Sequence, residues 1–336
     1  MIITRVTDGL GNQMFQYALG RYLSIKNDTD LLLDLCWYKN RSSHGGTNRR
    51  FTLKNFNIKA REATKRDIEE VVPFGALGRK VIHTPILLNS LVEGRSPSIP
   101  AIGRLLSPGI SRKRLAESYN YVWEYSKAPD STSPQWAYRR RFYAPVLDLD
   151  DGVYLHGYWQ SPKYFEKIKE RLREEFKPKS IRKNVQKVKE KIKASNSVAV
   201  HVRRGDFIEQ GPGRGNLLPK KYYKKARKIV ENCEENLRYF VFSDNPEWAS
   251  KNRFMMKKST HVTNEYGTEE HEDIYLMSLC NHNICANSTF SWWSSWVNNN
   301  EDSVIIYPSP WKKYGYPNGI IHEWGLFPEG WKVVTY

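Results

Sequence analysis

The second half of the chain alternates short apolar segments with segments whose apolar residues recur at helical spacing. Strand patterns occur in VYLHGYW, VAVHV, RYFVF, NICAN and SVIIYP, and at least one helical pattern separates each from the next. Alternation of this kind predicts a parallel sheet whose strands are connected by helices. The sequence therefore predicts an α/β fold for this half.

The N-terminal forty residues show the same pattern. A β-branched segment at Ile2–Val6 is followed by the glycine turn DGLGNQ, the helical segment MFQYALGRYLSIK and the apolar segment LLLDLCWY. This order is typical of a βαβ unit. The two halves together predict two Rossmann-like α/β domains that face each other across a cleft.

The length of the chain favours two domains. At roughly 150 residues per domain, 336 residues suggest a pair. We predict an N-terminal domain over residues 1–150, with an irregular Pro-, Gly- and Ser-rich insertion over about 73–135, and a C-terminal domain over residues 151–310. Residues 311–336 form an aromatic tail that we expect to pack back on the first domain.

The formal net charge of +17 arises from 53 basic and 36 acidic residues. It indicates a polyanion, an acidic substrate or an anionic membrane surface as partner, or simply a basic surface. The opening MIITRV lacks the apolar core of a signal peptide, and no apolar segment approaches the roughly 20 residues that span a bilayer. We expect a cytoplasmic protein with at most peripheral membrane contact.

Polar residues cluster where three predicted strands end, in HVRRGD, FSDN and NSTFSWW. The carboxyl ends of parallel strands share one edge of a sheet, where ligands bind. We therefore expect these three clusters to converge, with the turn DGLGN facing them from the other half.

Arg203 and Arg204 offer forked donors that suit phosphate oxygens. The alternative is a structural ion pair with Asp206. Asn287, Ser288 and Thr289 open a predicted helix, and the free N–H groups of a helix start attract anions, although the same residue types also serve as ordinary N-caps.

Two further groups of residues are candidates for ligand binding. Asp244 can accept two hydrogens from the Watson–Crick edge of guanine, or it can simply initiate a helix. Gly9 and Gly11 allow the backbone to approach a ligand, or they form a tight turn, and Asn12 and Gln13 can hydrogen-bond a sugar.

The four cysteines allow two interpretations. Cys280, His282 and Cys285 lie close together in the sequence and could bind a metal ion, but a second ligand pair at standard spacing is missing. We therefore expect buried, reduced thiols and no metal site.

Five motifs, GLGNQMFQYALG, LHGYWQSPKYF, HVRRGDF, FSDNPEW and ANSTFSWW, occur in the order in which the α-1,2-fucosyltransferase family carries them. The chain resembles the bacterial members of that family. The resemblance implies a GT-B fold and inverting transfer of fucose from GDP-fucose to the 2-hydroxyl of a terminal galactose. It also implies that no metal or other cofactor is required.

The resemblance also implies roles for individual residues. Those on the donor side are His201, Arg203, Arg204, Asp244, Asn287, Ser288, Thr289 and Phe290, and those on the sugar and acceptor side are Gly11, Asn12 and Gln13. Within the donor group, Arg203 holds the pyrophosphate. If a base deprotonates the acceptor hydroxyl, the candidates are Asp206 and Glu209.

Three other functions remain open from the residues alone. A nucleic-acid-binding protein would explain the charge and the segment KKYYKKARK, but its lysines lie on the polar face of an amphipathic helix and no nucleic-acid-binding motif is present. A non-catalytic sugar-binding module would explain the 11 tryptophans, but it has no need of HVRRGD. A fucosyltransferase that makes another linkage is the third.

Overall fold

The structure is a computed structural model that describes residues 1–39, 49–72, 121–123, 142–209, 217–252, 259–311 and 325–336. The chain divides into two compact units. The first comprises Met1–Asp8, Phe15–Phe51 and Lys59–Gln160, and the second comprises Gly9–Met14, Thr52–Ile58 and Ser161–Tyr336. Within these described ranges each unit contains one sheet, and every strand pair in both sheets is parallel. The predicted α/β fold is confirmed.

The first unit contains a five-stranded sheet. Its strands are β1 (Ile2–Arg5), β2 (Leu31–Asp34), β3 (Arg61–Glu62), β4 (Tyr121–Trp123) and β5 (Val153–His156), in the spatial order β3-β2-β1-β5-β4. Helix α1 (Leu10–Lys26) connects β1 to β2, and the short helices α2 (Cys36–Lys39) and α3 (Lys65–Val71) follow β2 and β3. A capping box between Thr64 and Asp67 fixes the start of α3.

The core of the first unit forms where the sheet meets α3. Ile3 of β1, Leu32 of β2 and Tyr154 of β5 pack against Ile68 and Val71 of α3, and all five side chains are buried. Because β1, β2 and β5 are neighbours in the sheet, this contact fixes the positions of the loops that follow them.

The second unit contains a six-stranded sheet. Its strands are β6 (Asn196–Val202), β7 (Leu237–Ser243), β8 (Ser259–His261), β9 (His282–Ile284), β10 (Ile305–Ser309) and β11 (Lys332–Thr335), in the order β11-β10-β9-β6-β7-β8. Its helices are α4 (Lys169–Glu175), α5 (Lys183–Lys193), α6 (Gly205–Glu209), α7 (Lys220–Glu231), α8 (Pro246–Lys251), α9 (Val262–Tyr266), α10 (Glu270–Ser278) and α11 (Thr289–Trp296).

Helices cover both faces of the second sheet. Val198, Val200 and Val202 of β6 pack with α7 on one face, whereas Ala199 packs with α5 and α10 on the other. Side chains of a strand alternate between the two faces, so a central strand with apolar residues at successive positions requires this cover. The central strand β6 is thereby held rigidly at the middle of the unit.

Two of the predicted domain limits differ from the structure. Strand β5 pairs with β1, so the first unit extends to Gln160 and not to residue 150. Strand β11 pairs with β10, so the described part of the tail completes the second sheet; the tail was expected to pack on the first domain. Most of the predicted insertion over 73–135 lies outside the described residues, and 121–123 within it form β4.

The segment after Ser161 does not enter a regular helix at once. Residues Pro162–Tyr164 and Glu166–Ile168 form 3₁₀ turns, and regular helix starts only at α4. The Ser161 hydroxyl donates to the Gly325 carbonyl at 2.8 Å and caps no helix. Phe165, with φ of −142°, separates the two 3₁₀ turns, and its buried ring stacks on that of Trp293 of α11 with ring centroids 5.2 Å apart.

No helix among the described residues is both long and apolar enough to cross a membrane. Peripheral contact with an anionic membrane stays a prediction.

Candidate functional site

The three polar clusters meet at one edge of the second sheet. In the sheet register Val202 of β6 lies beside Ser243 of β7, and Val200 lies beside Ile284 of β9. The residues that follow these strands therefore emerge together, as the sequence predicts. We call the turn at residues 203–205, with Asp244 beneath it, the arginine corner.

Asp244 holds the arginine corner in place with both of its carboxylate oxygens. Its Oδ1 accepts from the backbone N–H of Arg204 at 2.7 Å, and its Oδ2 accepts from the N–H of Gly205 at 3.0 Å. The same Oδ2 lies 2.9 Å from a guanidinium nitrogen of Arg203. A Cβ at position 205 would lie 2.7 Å from Oδ2, so only glycine fits there without displacing the carboxylate. Asp244 thus shapes the turn and orients Arg203.

The guanidinium of Arg204 lies over the indole ring of Trp248 of α8. Its Cζ is 3.8 Å from the centre of the indole ring, a close cation–π contact. Burial of the group lowers the pKa of Arg204 from its ordinary value. Its Nε is buried and has no hydrogen-bond partner among the described residues. A buried cationic donor without an acceptor is costly, and an anionic ligand would supply one.

His201 is buried at the end of β6, and its ring lies 5.2 Å from that of Phe290 at the start of α11. Its backbone carbonyl accepts from the Tyr223 hydroxyl at 3.2 Å. Burial lowers the pKa of His201 well below the ordinary range, so the ring is neutral at physiological pH. The ring contact between His201 and Phe290 joins the end of β6, which leads into the arginine corner, to the start of α11.

The start of α11 is an ordinary capped helix end that lies beside the first turn of α1. The Ser288 hydroxyl accepts from the N–H of Phe290 at 3.3 Å, and Asn287 is buried. The Thr289 hydroxyl donates to Asn12 Oδ1 at 3.3 Å. N-capping by Ser288 is therefore observed, and it is compatible with an anion site at the same helix end.

Gly11 is required because the two helices approach closely. A Cβ on Gly11 would lie 2.6 Å from the carbonyl carbon of Thr289 and 2.7 Å from the backbone nitrogen of Phe290. The indole N–H of Trp293 donates to the Gly11 carbonyl at 2.9 Å. The glycine was expected to lie in a turn and face a ligand, but it lies within α1 and contacts the start of α11.

Gln13 differs from its expected role at the sugar. Its side chain is fully buried, and its Oε1 accepts from the backbone N–H groups of Thr52 (3.1 Å) and Leu53 (3.0 Å). Gln13 therefore holds the backbone of Thr52 and Leu53 in place. Thr52 is 39 residues away in the sequence, so no local pattern around Gln13 predicts this pairing.

Asp206 and Glu209, the predicted bases, lie on α6, directly after the arginine corner. Their side chains lie outside the described part of the structure, as does the alternative ion pair between Asp206 and an arginine. Sequence reasoning missed Trp248, although its position three residues after the helix cap Asn245 could have placed it beside the strand end.

All four cysteines are free thiols, but the expectation that they are buried is confirmed only for Cys280 and Cys285, since Cys36 is half-buried and Cys233 is exposed. Burial raises the pKa of the Cys285 thiol to about 12, and its Sγ lies 3.1 Å from the Ser295 hydroxyl. His282 Nδ1 accepts from the backbone N–H of Val304 at 3.1 Å. Within the described residues no group of three or more His, Cys, Asp or Glu side chains is placed to hold a metal ion.

We expect Asp244→Asn to weaken both the fold and the reaction. An amide has one acceptor oxygen, so either the Arg204 or the Gly205 N–H loses its partner, at a cost of about 1–3 kcal/mol of unfolding free energy. Arg203 would also lose its charged partner. Chemical denaturation and rate measurements test this, with Glu247→Gln, an exposed acid of α8, as the control. Wild-type stability and rate in Asp244→Asn would show that the carboxylate does not hold the corner.

We expect His201 to make stability depend on pH. Its pKa is lower in the folded than in the unfolded chain, so the unfolded state takes up the proton first and stability falls as the pH drops below about 6.5. The contribution of His201 should lower the free energy of unfolding by about 2 kcal/mol at pH 5. This contribution should be absent in His201→Gln. Urea unfolding of both proteins from pH 5 to 8 measures it, and equal pH dependence would contradict the assignment.

Asp273 has the opposite effect, because burial raises its pKa to about 7 and stability therefore falls as the pH rises toward that value. Both proteins in the His201 experiment contain Asp273, so its contribution cancels in their difference.

Comparison with known proteins gives a family match and several relatives. The model of Glycosyl transferase family 11 matches residues 120–318. The chain is 29% identical over 334 residues to an Escherichia coli alpha-1,2-colitosyltransferase, covering 98% of each protein. It is 28% identical over 316 residues to the E. coli O-antigen biosynthesis glycosyltransferase WbnK, covering 91% of this chain and 93% of WbnK. A galactoside alpha-(1,2)-fucosyltransferase 1 of Saimiri boliviensis boliviensis is 26% identical over 246 residues, covering 68% of this chain and 64% of that protein.

Solved structures that resemble this chain include a mutant of Arabidopsis thaliana FUT1 in complex with GDP, with a TM-score of 0.44 at 12% identity over 95% of this chain and 72% of that one. The alpha-1,6-fucosyltransferase NodZ soaked with GDP-fucose gives a TM-score of 0.40 at 12% identity over 88% of this chain and 91% of that one.

Proposed function

The chain belongs to glycosyl transferase family 11, and from this premise we propose that it transfers L-fucose from GDP-fucose to the 2-hydroxyl of a terminal galactose. Relatives whose names specify alpha-1,2 transfer support the linkage. The galactose acceptor is supported by the name of the primate relative. The observation that carries the proposal is the arginine corner, whose two guanidiniums follow β6 at the sheet edge where the segment leading to α11 also emerges.

The arginine corner suits the charge that develops during transfer. Breaking the bond between fucose and phosphate leaves negative charge on the departing GDP. Arg203 is 17% exposed, so its guanidinium can reach a ligand while Asp244 orients it. The buried Nε of Arg204 needs an acceptor, which a phosphate oxygen would provide. Donors fixed before the reaction stabilise such charge without reorganising.

The acceptor hydroxyl must attack the face of the sugar opposite the departing phosphate if the reaction inverts the anomeric carbon. The transition state resembles an oxocarbenium ion, so expulsion of GDP contributes more than the strength of the nucleophile. We propose Asp206 or Glu209 of α6 as the group that takes the hydroxyl proton. Both follow the arginine corner directly in the sequence.

We propose that transfer requires no metal ion, because the guanidiniums and the helix start supply positive charge at the phosphates. Activity should then persist in excess EDTA. Steady-state rates with and without the chelator test this, and adding back Mg²⁺ or Mn²⁺ gives the control. Complete loss of activity in EDTA that either ion restores would require a metal-dependent mechanism.

The proposed function is tested by incubating the protein with GDP-fucose and a panel of galactosides and assigning the new linkage by NMR. We expect a fucosyl group on the 2-hydroxyl of galactose. Transfer to another hydroxyl would contradict the linkage, and failure to bind GDP would contradict the donor.

The E. coli colitosyltransferase supports a second candidate donor, because it matches 98% of this chain. A competition between GDP-fucose and a nucleotide-activated colitose at equal concentration would decide between the two sugars.

A further inference from the structure

The first sheet has a topological switch point that the proposed donor site does not use. Its order is β3-β2-β1-β5-β4, so the chain leaves β1 toward β2 on one side and β5 lies on the other. In open parallel sheets, ligands bind beyond the carboxyl ends of the strands at such a reversal. A second ligand-binding site is therefore expected at the loops after β1 and β5.

Polar side chains from three segments meet there. The Asp8 carboxylate accepts from the Tyr158 hydroxyl at 2.7 Å, and the Asp8 carbonyl accepts from the Tyr38 hydroxyl at 2.9 Å. At the ends of β1 and β5, from which these loops leave, Arg5 Nη1 and His156 Nε2 lie 3.3 Å apart. We call Arg5, Asp8, Tyr38, His156 and Tyr158 the switch-point cluster.

The backbone is strained on both sides of the switch point. Asp8 has φ of 63° and Trp159 has φ of 55°, the left-handed region that residues other than glycine rarely adopt. Among the described residues only four non-glycine positions have positive φ, and two of them lie in these two loops. Such strain persists where surrounding contacts enforce it, and it is concentrated at ligand sites. The hydrogen bonds of Tyr38 and Tyr158 supply that enforcement at Asp8.

The switch-point cluster has the chemistry of a sugar site. Asp8, Tyr38, His156 and Tyr158 are all partly exposed, so a ligand can reach them. A carboxylate accepts hydrogens from sugar hydroxyls, and phenol groups both donate and accept. Trp37, also partly exposed, packs edge-on against Tyr38 at 4.9 Å and adds aromatic surface.

We propose that the switch-point cluster binds the acceptor sugar, with the Asp8 carboxylate accepting a hydrogen from one of its hydroxyl groups. This inference rests on the proposed function for the identity of the sugar, a terminal galactoside. Asp8 is charged and held at fixed geometry by Tyr158, so it discriminates the orientation of the hydroxyl it binds.

The test measures binding of lactose and of GDP separately, by NMR titration, to the full chain. Asp8→Asn removes the charge and should weaken lactose binding about tenfold or more, while GDP affinity stays within about twofold. Asp8→Gly should weaken lactose binding at least as much; glycine relieves the positive φ, whereas the hydrogen bond from Tyr158 is lost, so the melting temperature is measured alongside. A purely structural role for Asp8 would lower the affinities for lactose and GDP together.

Asp28→Gly is the matched control. Asp28 is an exposed residue of the first unit with φ of 48°, so the same substitution relieves the same kind of strain without touching the switch-point cluster. Its lactose affinity should equal that of the wild type. Unchanged lactose affinity in Asp8→Asn, no lactose binding by the wild type, or an equal loss of GDP and lactose affinity would each overturn the inference. Lactose binding that depends on Asp8, in a protein that neither binds GDP nor transfers fucose, would contradict the proposed function and leave the sugar site standing.

Discussion

Arg203→Ala is expected to lower the rate of transfer by about 10²–10³. The guanidinium is the partly exposed cation of the arginine corner, and we propose that it stabilises the charge that develops on the departing diphosphate. The fold should survive, because Asp244 keeps its two backbone hydrogen bonds to Arg204 and Gly205. Single-turnover rates at saturating donor, with melting temperatures measured alongside, give both quantities.

Two further variants make the result specific. Arg203→Lys keeps the charge but loses the fork that grips two oxygens, so it should recover only part of the lost rate. Arg238→Ala removes an exposed arginine from the opposite end of the neighbouring strand β7 and should leave the rate unchanged. Near-normal turnover in Arg203→Ala would remove Arg203 from the mechanism.

Gly11→Ala is expected to damage stability and donor binding together. The added Cβ would overlap backbone atoms of Thr289 and Phe290, which cannot rotate away as a side chain does. Overpacking of this kind costs about 1–3 kcal/mol of unfolding free energy. The start of α11 must shift, so GDP affinity should fall as well. Denaturation and GDP titration of the variant measure the two effects.

Gly20→Ala provides the control in the same helix. A Cβ at position 20 would lie 2.7 Å from Leu31 Cδ1, the end of a flexible side chain that can move. Alanine also favours helix over glycine, so the net change in stability should be small, and GDP affinity should not change. Equal losses in the two variants would show that the effect belongs to the helix and not to its approach to α11.

The sequence predicts the sheet edge of the second unit well. Alternating strand and helix patterns place HVRRGD, FSDN and NSTF at strand ends, and the register of β6, β7 and β9 brings those ends together. Asn245 and Ser288 cap their helices, as their residue types indicate. These features depend on local patterns and on one general rule of parallel sheets, so a single sequence contains enough information.

Features that depend on distant partners were not predictable. Gln13 is paired with Thr52 and Leu53, and the Asp8 carboxylate is paired with Tyr158, 150 residues away. Strand β11 completes the second sheet by pairing with β10, a pairing between segments that the local sequence pattern does not indicate. Asp244 looked like a ligand group or a helix start, and its hydrogen bonds to the turn at 204–205 depend on a neighbouring strand. The spacing of residue types within one segment cannot predict which distant residue a side chain or strand will pair with.

A crystal structure of the protein with GDP would test the central claim most directly. We predict that diphosphate oxygens lie within hydrogen-bonding distance, about 3 Å, of the Arg203 guanidinium and next to the start of α11. A diphosphate bound away from residues 203–206, with Arg203 still engaged only by Asp244, would contradict the account.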